Sequence, residues 1–313
     1  MTTQSNSMAS PLAPQGIAPA ALSETQPFYW SVRRELWENR SLYIAPLAVA
    51  AVYMVGFVIS EVAPLDIGGL AALDPGNQRL TLAMPYGHAE WLLLLTGVLV
   101  GTFYSLDALH GERRDRSILF WKSLPVSDLT TVLSKVSIPL VVLPLLIFAI
   151  TVTLEILMWL LSMAVLVMRG AGAATLWARL PLFQMELVNL YGLIVIALWY
   201  APFYSWFLLV SGWARRAAFL WGLLPPLAIG VFEYIAFHTS YFGFLLKERA
   251  LGFAARAFDL KDKAGVPVDP HFIPLTQLAP ERFLSSPGLW FGLIVAAIFL
   301  VTAVRLRRYQ API

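Results

Sequence analysis

Long apolar stretches separated by short polar segments dominate this chain of 313 residues. A helix needs about 20 mostly apolar residues to cross the hydrocarbon core of a bilayer. The pattern therefore predicts an all-α integral membrane protein. Its six transmembrane helices are expected at about 43–60, 90–110, 136–160, 187–210, 217–237 and 288–304. An even number of spans places both chain ends on the same side of the membrane.

The third apolar stretch is too long for one straight span. Residues 136–168 would form a helix of about 50 Å, whereas the hydrocarbon core is about 30 Å thick. We therefore expect this helix to tilt strongly, to project beyond the outer face, or to break. Pro139 and Pro144 near its start would allow a kink.

Two further segments are amphipathic. In residues 27–42 apolar side chains recur every fourth position, and charged ones point the other way: Phe28, Val32 and Leu36 against Arg34, Glu35 and Glu38. This spacing predicts a helix on the inner leaflet before the first span; a simple positive anchor for that span is an equally good interpretation. Residues 242–257 have a similar pattern inside the long outer loop 238–286, and are expected to lie on or dip into the outer membrane face.

The chain ends have a different composition. Residues 1–26 contain no Lys or Arg, so they lack the positive start of a signal peptide and are expected to form a disordered cytoplasmic tail. Residues 305–313 are expected to form a cytoplasmic C-terminal tail. Residues 43–304 between them are expected to form one six-span transmembrane domain.

Composition agrees with the membrane class. Hydrophobic residues make up 58% of the chain and charged residues 13%, whereas a soluble domain has about 25% charged residues. The absence of cysteine excludes disulfides and Cys-ligated metal sites. A formal net charge of +3 is too small to indicate a nucleic-acid partner.

The positions of the basic residues predict the orientation. If the N-terminus is cytoplasmic, thirteen of the 22 Lys and Arg residues lie on the inner side, mostly in short segments: Arg33, Arg34, Arg40, Arg113, Arg114, Arg116, Lys122, Lys135, Arg215, Arg216, Arg305, Arg307 and Arg308. Short cytoplasmic loops of membrane proteins are enriched in such residues. Both termini are therefore predicted to be cytoplasmic.

The search for reaction chemistry is mostly negative. The chain contains no GxxxxGK[ST] phosphate loop, no HExxH and no GxSxG sequence. Its four histidines are scattered and lack the helical spacing of metal ligands, so no metal site is expected. We expect a protein without its own ATPase motif and without a cofactor of its own.

One ionisable residue lies deep in an apolar stretch. Glu155 is surrounded by "ITVTLEILMWLL", and charge in hydrocarbon is expensive and tends to mark a function. It is a possible intramembrane polar site, and three interpretations stay open: a neutral acid, a hydrogen bond between helices, or part of a substrate path. Glu90 and Glu186 flank span starts and are expected to reach water.

The segment between spans two and three is the most charged. It reads "GERRDRSILFWKSLPVSDLTTVLSK" from Gly111 to Lys135. Residues 111–123 are predicted to form a short helix, Pro125 disfavours its continuation, and Ser127 or Asp128 can cap the next helix. An ordinary positive loop anchored by Trp121 is the simpler interpretation.

This segment resembles the loop between the second and third spans of bacterial ABC-2-type transporter permeases, and the six-span layout is similar as well. In that family the loop is a coupling helix that docks into a separate ATP-binding subunit. The resemblance implies that polar docking contacts come from Glu112, Arg113, Arg114, Asp115 and Arg116. It implies an adjoining helix with Ser117, Phe120, Trp121 and Lys122, ended by Pro125. The helix around Arg33, Arg34, Glu35 and Trp37 resembles the membrane-surface helix of the family.

The resemblance also implies a function. The chain would be the permease subunit of an ABC transporter, an exporter in the bacterial cytoplasmic membrane and not an enzyme. ATP and Mg would be bound by the partner ATPase, and a second permease chain, identical or from a paired gene, would complete the transporter. Membrane lipid is the remaining partner, and the resemblance does not specify the substrate.

Two other classes stay open. A polytopic membrane enzyme acting on lipid needs clustered acids or histidines at one membrane face, and the sequence shows no such cluster. An ATP-independent secondary transporter would be supported by paired interrupted spans in its two halves, and the prolines in spans three and five are not obviously paired.

Overall fold

The computed structural model describes residues 25–62, 69, 73–123, 126–168, 180–260 and 273–309. The predicted tail up to residue 24, the last four residues and Pro125 lie outside the described residues. Within them we number the α-helices α1 (Thr25–Glu38), α2 (Ser41–Phe57), α3 (Pro75–Asp107), α4 (His110–Arg114), α5 (Ile118–Ser123), α6 (Asp128–Ser137), α7 (Leu143–Met168), α8 (Leu182–Trp213), α9 (Ala218–Phe237), α10 (Tyr241–Leu251), α11 (Phe253–Ala257), α12 (Pro280–Leu284) and α13 (Pro287–Tyr309).

The six predicted spans are confirmed as helices that are long and apolar enough to cross a membrane. They comprise Ser41–Ser60, Gly76–Arg114, Asp128–Val165, Leu182–Trp213, Ala218–Phe237 and Pro287–Tyr309. The chain is therefore a multi-pass membrane protein. Among the described residues, the only β structure is an isolated bridge between Phe258 and Leu278.

Several helix ends differ from the predicted span boundaries, as in α3 and α13. Helix α3 begins at Pro75, well before residue 90, because the side chain of Asp74 accepts the amides of Gly76 and Asn77 and so caps a polar first turn. Helix α13 runs to Tyr309, so the first part of the predicted C-terminal tail is helical. Apolar length alone locates the membrane-crossing part of a helix and not its ends.

The long third stretch is one helical run with an irregular turn. A π-helical segment, Ile138–Val142, joins α6 to α7, and the amide of Leu143 donates to the carbonyl of Ile138. Pro139 lies within this turn and has no amide hydrogen, so a regular helical hydrogen bond is lost there. The proline therefore changes the helical geometry without ending the helix.

Helix α8 lies at the centre of the bundle. In its apolar stretch 67% of the residues are buried, whereas in α9 only 6% are. Helix α8 packs mainly against α13 and α3. A separate apolar core, which includes Leu93, Ile147 and Met158, joins α3 to α7 and α2. Helix α9 consequently exposes most of its surface to the surroundings of the bundle.

Helix α1, the segment α4–α5 and the last turn of α13 meet at one end of the bundle, because Glu112 contacts both Arg34 and Arg307. We call this the terminal end, and the other the opposite end. At the opposite end the segment predicted to lie on the membrane face is two helices, α10 and α11. Tyr191 and Tyr200 of α8 donate hydrogen bonds to its carbonyls, so it is attached to the bundle.

Candidate coupling site at the terminal end

The charged loop, residues 111–123, is two short helices and not the single predicted one. Helix α4 ends at Arg114, and Arg116 has a positive φ of 58°. That left-handed conformation cannot continue a right-handed helix. Helix α5 begins at Ile118. Of the two predicted caps for the next helix, Ser127 is the one observed, accepting the amide of Thr130 at 3.0 Å.

Glu112 of α4 lies at the centre of the contacts made by this loop. Its Oε1 accepts Arg34 Nη2 of α1 and Lys135 Nζ of α6, each at 3.1 Å. Its Oε2 lies 3.3 Å from Arg307 Nη2 of α13. Only 7% of the Glu112 side chain is exposed. One carboxylate thus joins the loop to three other helices.

Glu35 of α1 is the second buried acid at this end. Its Oε1 lies 2.8 Å from Lys135 Nζ and 2.6 Å from Arg34 Nη2. Its Oε2 accepts the hydroxyl of Tyr104 in α3 at 2.8 Å. Both Glu35 and Lys135 are almost fully buried. The sequence pattern placed Glu35 on the water-facing side of α1; here it faces inward, because Lys135 and Tyr104 meet it there.

Asp128 completes a balanced set of charges. Its Oδ1 lies 2.5 Å from Arg307 Nη1. The resulting group, which we call the ion network, has three acids and three bases: Glu35, Glu112, Asp128, Arg34, Lys135 and Arg307. Buried charges are tolerated when they are paired and hydrogen-bonded, and removing one partner leaves an uncompensated charge. The network therefore holds α1, α4, α6 and α13 in one arrangement.

Proton affinities in α1 agree with this pairing. Burial alone would raise the pKa of Glu35, but Lys135 and Arg34 outweigh burial and hold that pKa below its ordinary value. Burial would likewise lower the pKa of Arg34, yet Glu35 and Glu112 raise it. Both side chains therefore stay ionised at neutral pH.

Arg113 anchors the loop to a fifth helix. Its Nη1 donates to the carbonyls of Gly212 and Ala214 at 2.6 and 3.3 Å, where α8 ends. The last carbonyls of a helix lack partners within it, and a positive charge is favourable at that position. The backbone amide of Leu109 also donates to Ser211 at 3.3 Å. The charged loop is therefore bound to the central helix of the bundle.

Four of the other predicted docking residues are exposed: Arg114, Asp115, Arg116 and Phe120. The side chains of Arg114 and Asp115 are 59% and 65% exposed, and they pair with each other at 3.1 Å. Arg116, Leu119 and Phe120 are exposed as well, whereas Ser117 is half-buried. Ile118 is buried and seats α5 on the bundle. Trp121 and Lys122 belong to the last turn of α5.

The predicted membrane-surface helix presents an aromatic face. Arg33 lies over the rings of Trp30 and Trp37, with its guanidinium carbon 5.1 and 4.6 Å from their centroids. Trp37 is 66% exposed. Stacked Trp and Arg side chains suit the boundary between lipid and water, where an aromatic ring can be half solvated. Helix α1 thus has an exposed aromatic face and an inner face held by Glu35.

A second group of acids lies within the bundle. Glu155 of α7 is beside Glu90 of α3 and Glu186 of α8. Glu155 is 1% exposed, and the other two are half-buried. We call these three residues the acid cluster. Glu90 and Glu186 were expected to reach water, and no cluster of acids was recognised, because residues from three separate helices meet only in the folded bundle.

Sequence reasoning also missed four members of the buried contacts at the terminal end. Asp128 was a candidate helix cap, Lys135 and Arg307 were positive residues of the inner side, and Tyr104 drew no prediction. The sequence carried only a weak signal for their burial. Lys135 lies just before the third apolar run and Arg307 just after the sixth, and a positive charge is ordinary at both positions. Their burial is visible only when the partner acids are placed beside them.

Comparison of the chain with protein-family models, with curated proteins and with solved structures found no match. At the terminal end the side chains can transmit a displacement, because a surface loop is joined by buried ionic contacts to several spans.

Proposed function

We propose that this chain is the membrane-spanning subunit of an ATP-binding cassette transporter, an exporter driven by ATP hydrolysis in a separate subunit. One observation carries the proposal. The loop between spans two and three presents exposed Arg114, Asp115 and Phe120, while its neighbours Glu112 and Arg113 are tied into the bundle. A loop with one exposed face that can contact a partner, and another face bonded to the bundle, is suited to receive force from that partner.

The contacts define a route for that force. A partner pushing on the exposed part of the loop would move Glu112 together with Lys135 and Arg307, and therefore α6 and α13. The same push would reach the end of α8 through Arg113. Packed interiors respond as connected units and do not deform continuously. The spans would shift together and open a path across the membrane.

A second copy of a permease chain, identical or paired, belongs to this proposal. ATPase subunits of this class act in pairs, so two membrane-spanning chains are required. The least buried span, α9, offers an apolar surface for such a neighbour or for lipid. Positive residues at the terminal end, among them Arg114, Arg116 and Arg308, support a cytoplasmic position for that end, and the proposed class implies a bacterial inner membrane.

The first test is genetic and biochemical. We expect the reading frame beside the gene for this chain to encode an ATPase with a phosphate-binding loop. When the two are co-expressed and purified through a tag on this chain, the ATPase should co-purify. Arg114→Glu combined with Phe120→Asp should abolish that co-purification, because it reverses a charge and removes an apolar contact on the exposed face.

The control is Lys247→Glu, which repeats the charge reversal of Arg114→Glu at an exposed position in α10 at the opposite end. It should leave co-purification unchanged. If the ATPase binds equally well to the loop variant, the docking assignment is wrong. If the chain transports its substrate without any ATPase, the proposed class is wrong.

A secondary transporter is the second candidate, and the acid cluster favours it. Buried carboxyl groups in membrane spans are common in proton-coupled transport. In proteoliposomes containing this chain alone, an imposed proton gradient would then drive substrate movement. The proposal of an ATP-driven exporter requires that no such movement occurs until the ATPase and ATP are added.

A further inference from the structure

The acid cluster lies on the side of the bundle away from the ion network. Glu155 is twenty positions beyond Lys135 along the third span, which corresponds to about 30 Å of helix. Glu186 is in the first turns of α8, and Glu90 is midway along α3. The three carboxyl groups therefore meet in the half of the membrane nearer the opposite end.

Four carboxylate oxygens of the cluster have no hydrogen-bond partner among the described residues. These are Oε1 of Glu90, both oxygens of Glu155 and Oε2 of Glu186. No described Lys, Arg or His forms a salt bridge with any of the three. Like charges in a low-dielectric interior repel strongly. The site is short of hydrogen-bond donors and of positive charge.

Two polar side chains outside the acid cluster are directed at the same place. Asn189 is 6% exposed, and its amide nitrogen lies beside Glu186 without a hydrogen bond of normal geometry. Tyr86 is 2% exposed, its hydroxyl makes no hydrogen bond of normal geometry, and it lies near Glu155 and Ser162. A folded protein satisfies most buried polar groups, so several unpaired ones in contact indicate an absent ligand or absent water.

A cavity of about 70 Å³ opens beside these groups. Glu90 and Asn189 form its polar wall. The rest of the wall is apolar or aromatic and comes from α3, α8 and the segment after α10, including Trp91, Leu94, Ile196, Phe253 and Phe258. A mostly apolar pocket with a few converging polar groups is the usual form of a small-molecule site.

The geometry is unsuited to a bare metal ion. Among the described residues, no group of three His, Asp or Glu side chains is placed to hold one. A hard cation needs several oxygens at about 2.0–2.6 Å. A larger cationic group with several N–H donors could span acceptors that are farther apart, as an ammonium group does.

We infer that the acid cluster and its cavity bind the protonated amine of an amphiphilic molecule. The ammonium group donates hydrogen bonds to Glu155 and Glu90, and the apolar part occupies the pocket lined by Leu94 and Phe253. The positive charge compensates the acids, and the aromatic wall adds favourable contact with a cation. This binding goes beyond the proposed energy coupling and does not depend on it.

The test is equilibrium dialysis of radiolabelled dodecylamine against the full chain in lipid nanodiscs at pH 7. Glu155→Gln and Glu90→Gln keep the shape of the side chain and remove its charge. Each should weaken saturable binding about tenfold or more, because a charged hydrogen-bonded contact is lost. Dodecanol, with the same chain and no charge, should not compete with dodecylamine.

The matched control is Glu281→Gln, an acid exposed at the opposite end in α12. It should bind dodecylamine like the unaltered chain. If Glu155→Gln and Glu90→Gln also bind unchanged, or if dodecanol competes as well as the amine, the inference is wrong. Equal weakening in Glu281→Gln would show only general attraction to negative charge and would also overturn it.

A folding check accompanies the binding measurement. Replacing the acid by its amide removes repulsion, so Glu155→Gln should melt at the same temperature as the unaltered chain or above it. Loss of binding with retained stability supports the site. Destabilisation of Glu155→Gln would identify a structural acid instead and overturn the inference. The assay needs no ATPase, so its failure would leave the proposed function standing, and the reverse also holds.

Discussion

The two groups of buried charge in this bundle differ in their balance. The ion network pairs three acids with three bases, and its carboxylate oxygens accept hydrogen bonds from Arg34, Lys135, Arg307 and Tyr104. The acid cluster has three acids and no described base. Paired charges stabilise one arrangement of the helices, whereas unpaired carboxyl groups are available to bind a proton or a cation. Burial alone therefore does not reveal the role of a charged residue; its partners do.

The largest effect is expected from Glu112→Ala, which leaves Lys135 and Arg307 without a central partner. Breaking a buried ion pair costs about 3–5 kcal/mol in the free energy of unfolding, measured by denaturant titration in mixed micelles. The control Asp115→Ala, at an exposed position in the same loop, should change it by about 0.5 kcal/mol or less. Equal effects would mean that the ion network does not stabilise the bundle.

A smaller loss is expected from Arg113→Met, which keeps the apolar stem and removes the guanidinium. The carbonyls at the end of α8 lose their donor, and a hydrogen bond to a charged group contributes about 1.5–3 kcal/mol. The same unfolding measurement applies. Arg114→Met, one residue further and exposed, should be nearly neutral; a comparable loss there would indicate that burial of Arg113 is irrelevant.

Replacing Glu by Gln should have different effects on the free energy of unfolding in the ion network and in the acid cluster. Glu35→Gln leaves Lys135 with less compensation and should lower the free energy of unfolding. Glu155→Gln should leave it unchanged or raise it by about 1 kcal/mol, since replacement of a poorly compensated buried charge is often neutral or stabilising. Thermal unfolding of the two variants side by side measures this. A loss at both positions would abolish the distinction between the two regions.

The smallest effect is expected from mild acid. The pKa of Glu35 is held below its ordinary value by Lys135 and Arg34, so the stability it contributes is present above about pH 4.3 and falls as the pH drops through the lowered value. The melting temperature should change little on account of Glu35 between pH 7 and about pH 5 and decline below. Glu35→Gln should show a shallower decline; identical curves would argue against the pairing.

Much of the fold was predictable because its signals are local. Six long apolar runs in a chain with few charges predict membrane-spanning helices, and the described part of the chain contains six helices long and apolar enough for that. The break in the charged loop was not predictable: no local signal required Arg116 to take a positive φ. The two-helix form of residues 241–257 was missed as well, since the amphipathic pattern runs through Gly252 without interruption.

Only part of the candidate site followed from the sequence. The charged loop was recognisable from its composition, but its residues looked equivalent, and the structure separates the buried Glu112 and Arg113 from the exposed Arg114 and Asp115. Their docking role is still a prediction. Glu155 was recognisable as an acid in an apolar run, yet its neighbours Glu90 and Glu186 were not.

By itself the sequence determined that this protein has six stretches long and apolar enough to cross a membrane as helices, because the hydropathy of a helix depends on residues that are adjacent in the chain. The tertiary structure decided which charges are paired. Glu35 and Lys135 are 100 residues apart, and Glu112 and Arg307 are 195 apart. Coulomb interactions depend on distance in space, so the same residue type becomes a structural contact at one end of the bundle and an unpaired acid towards the other.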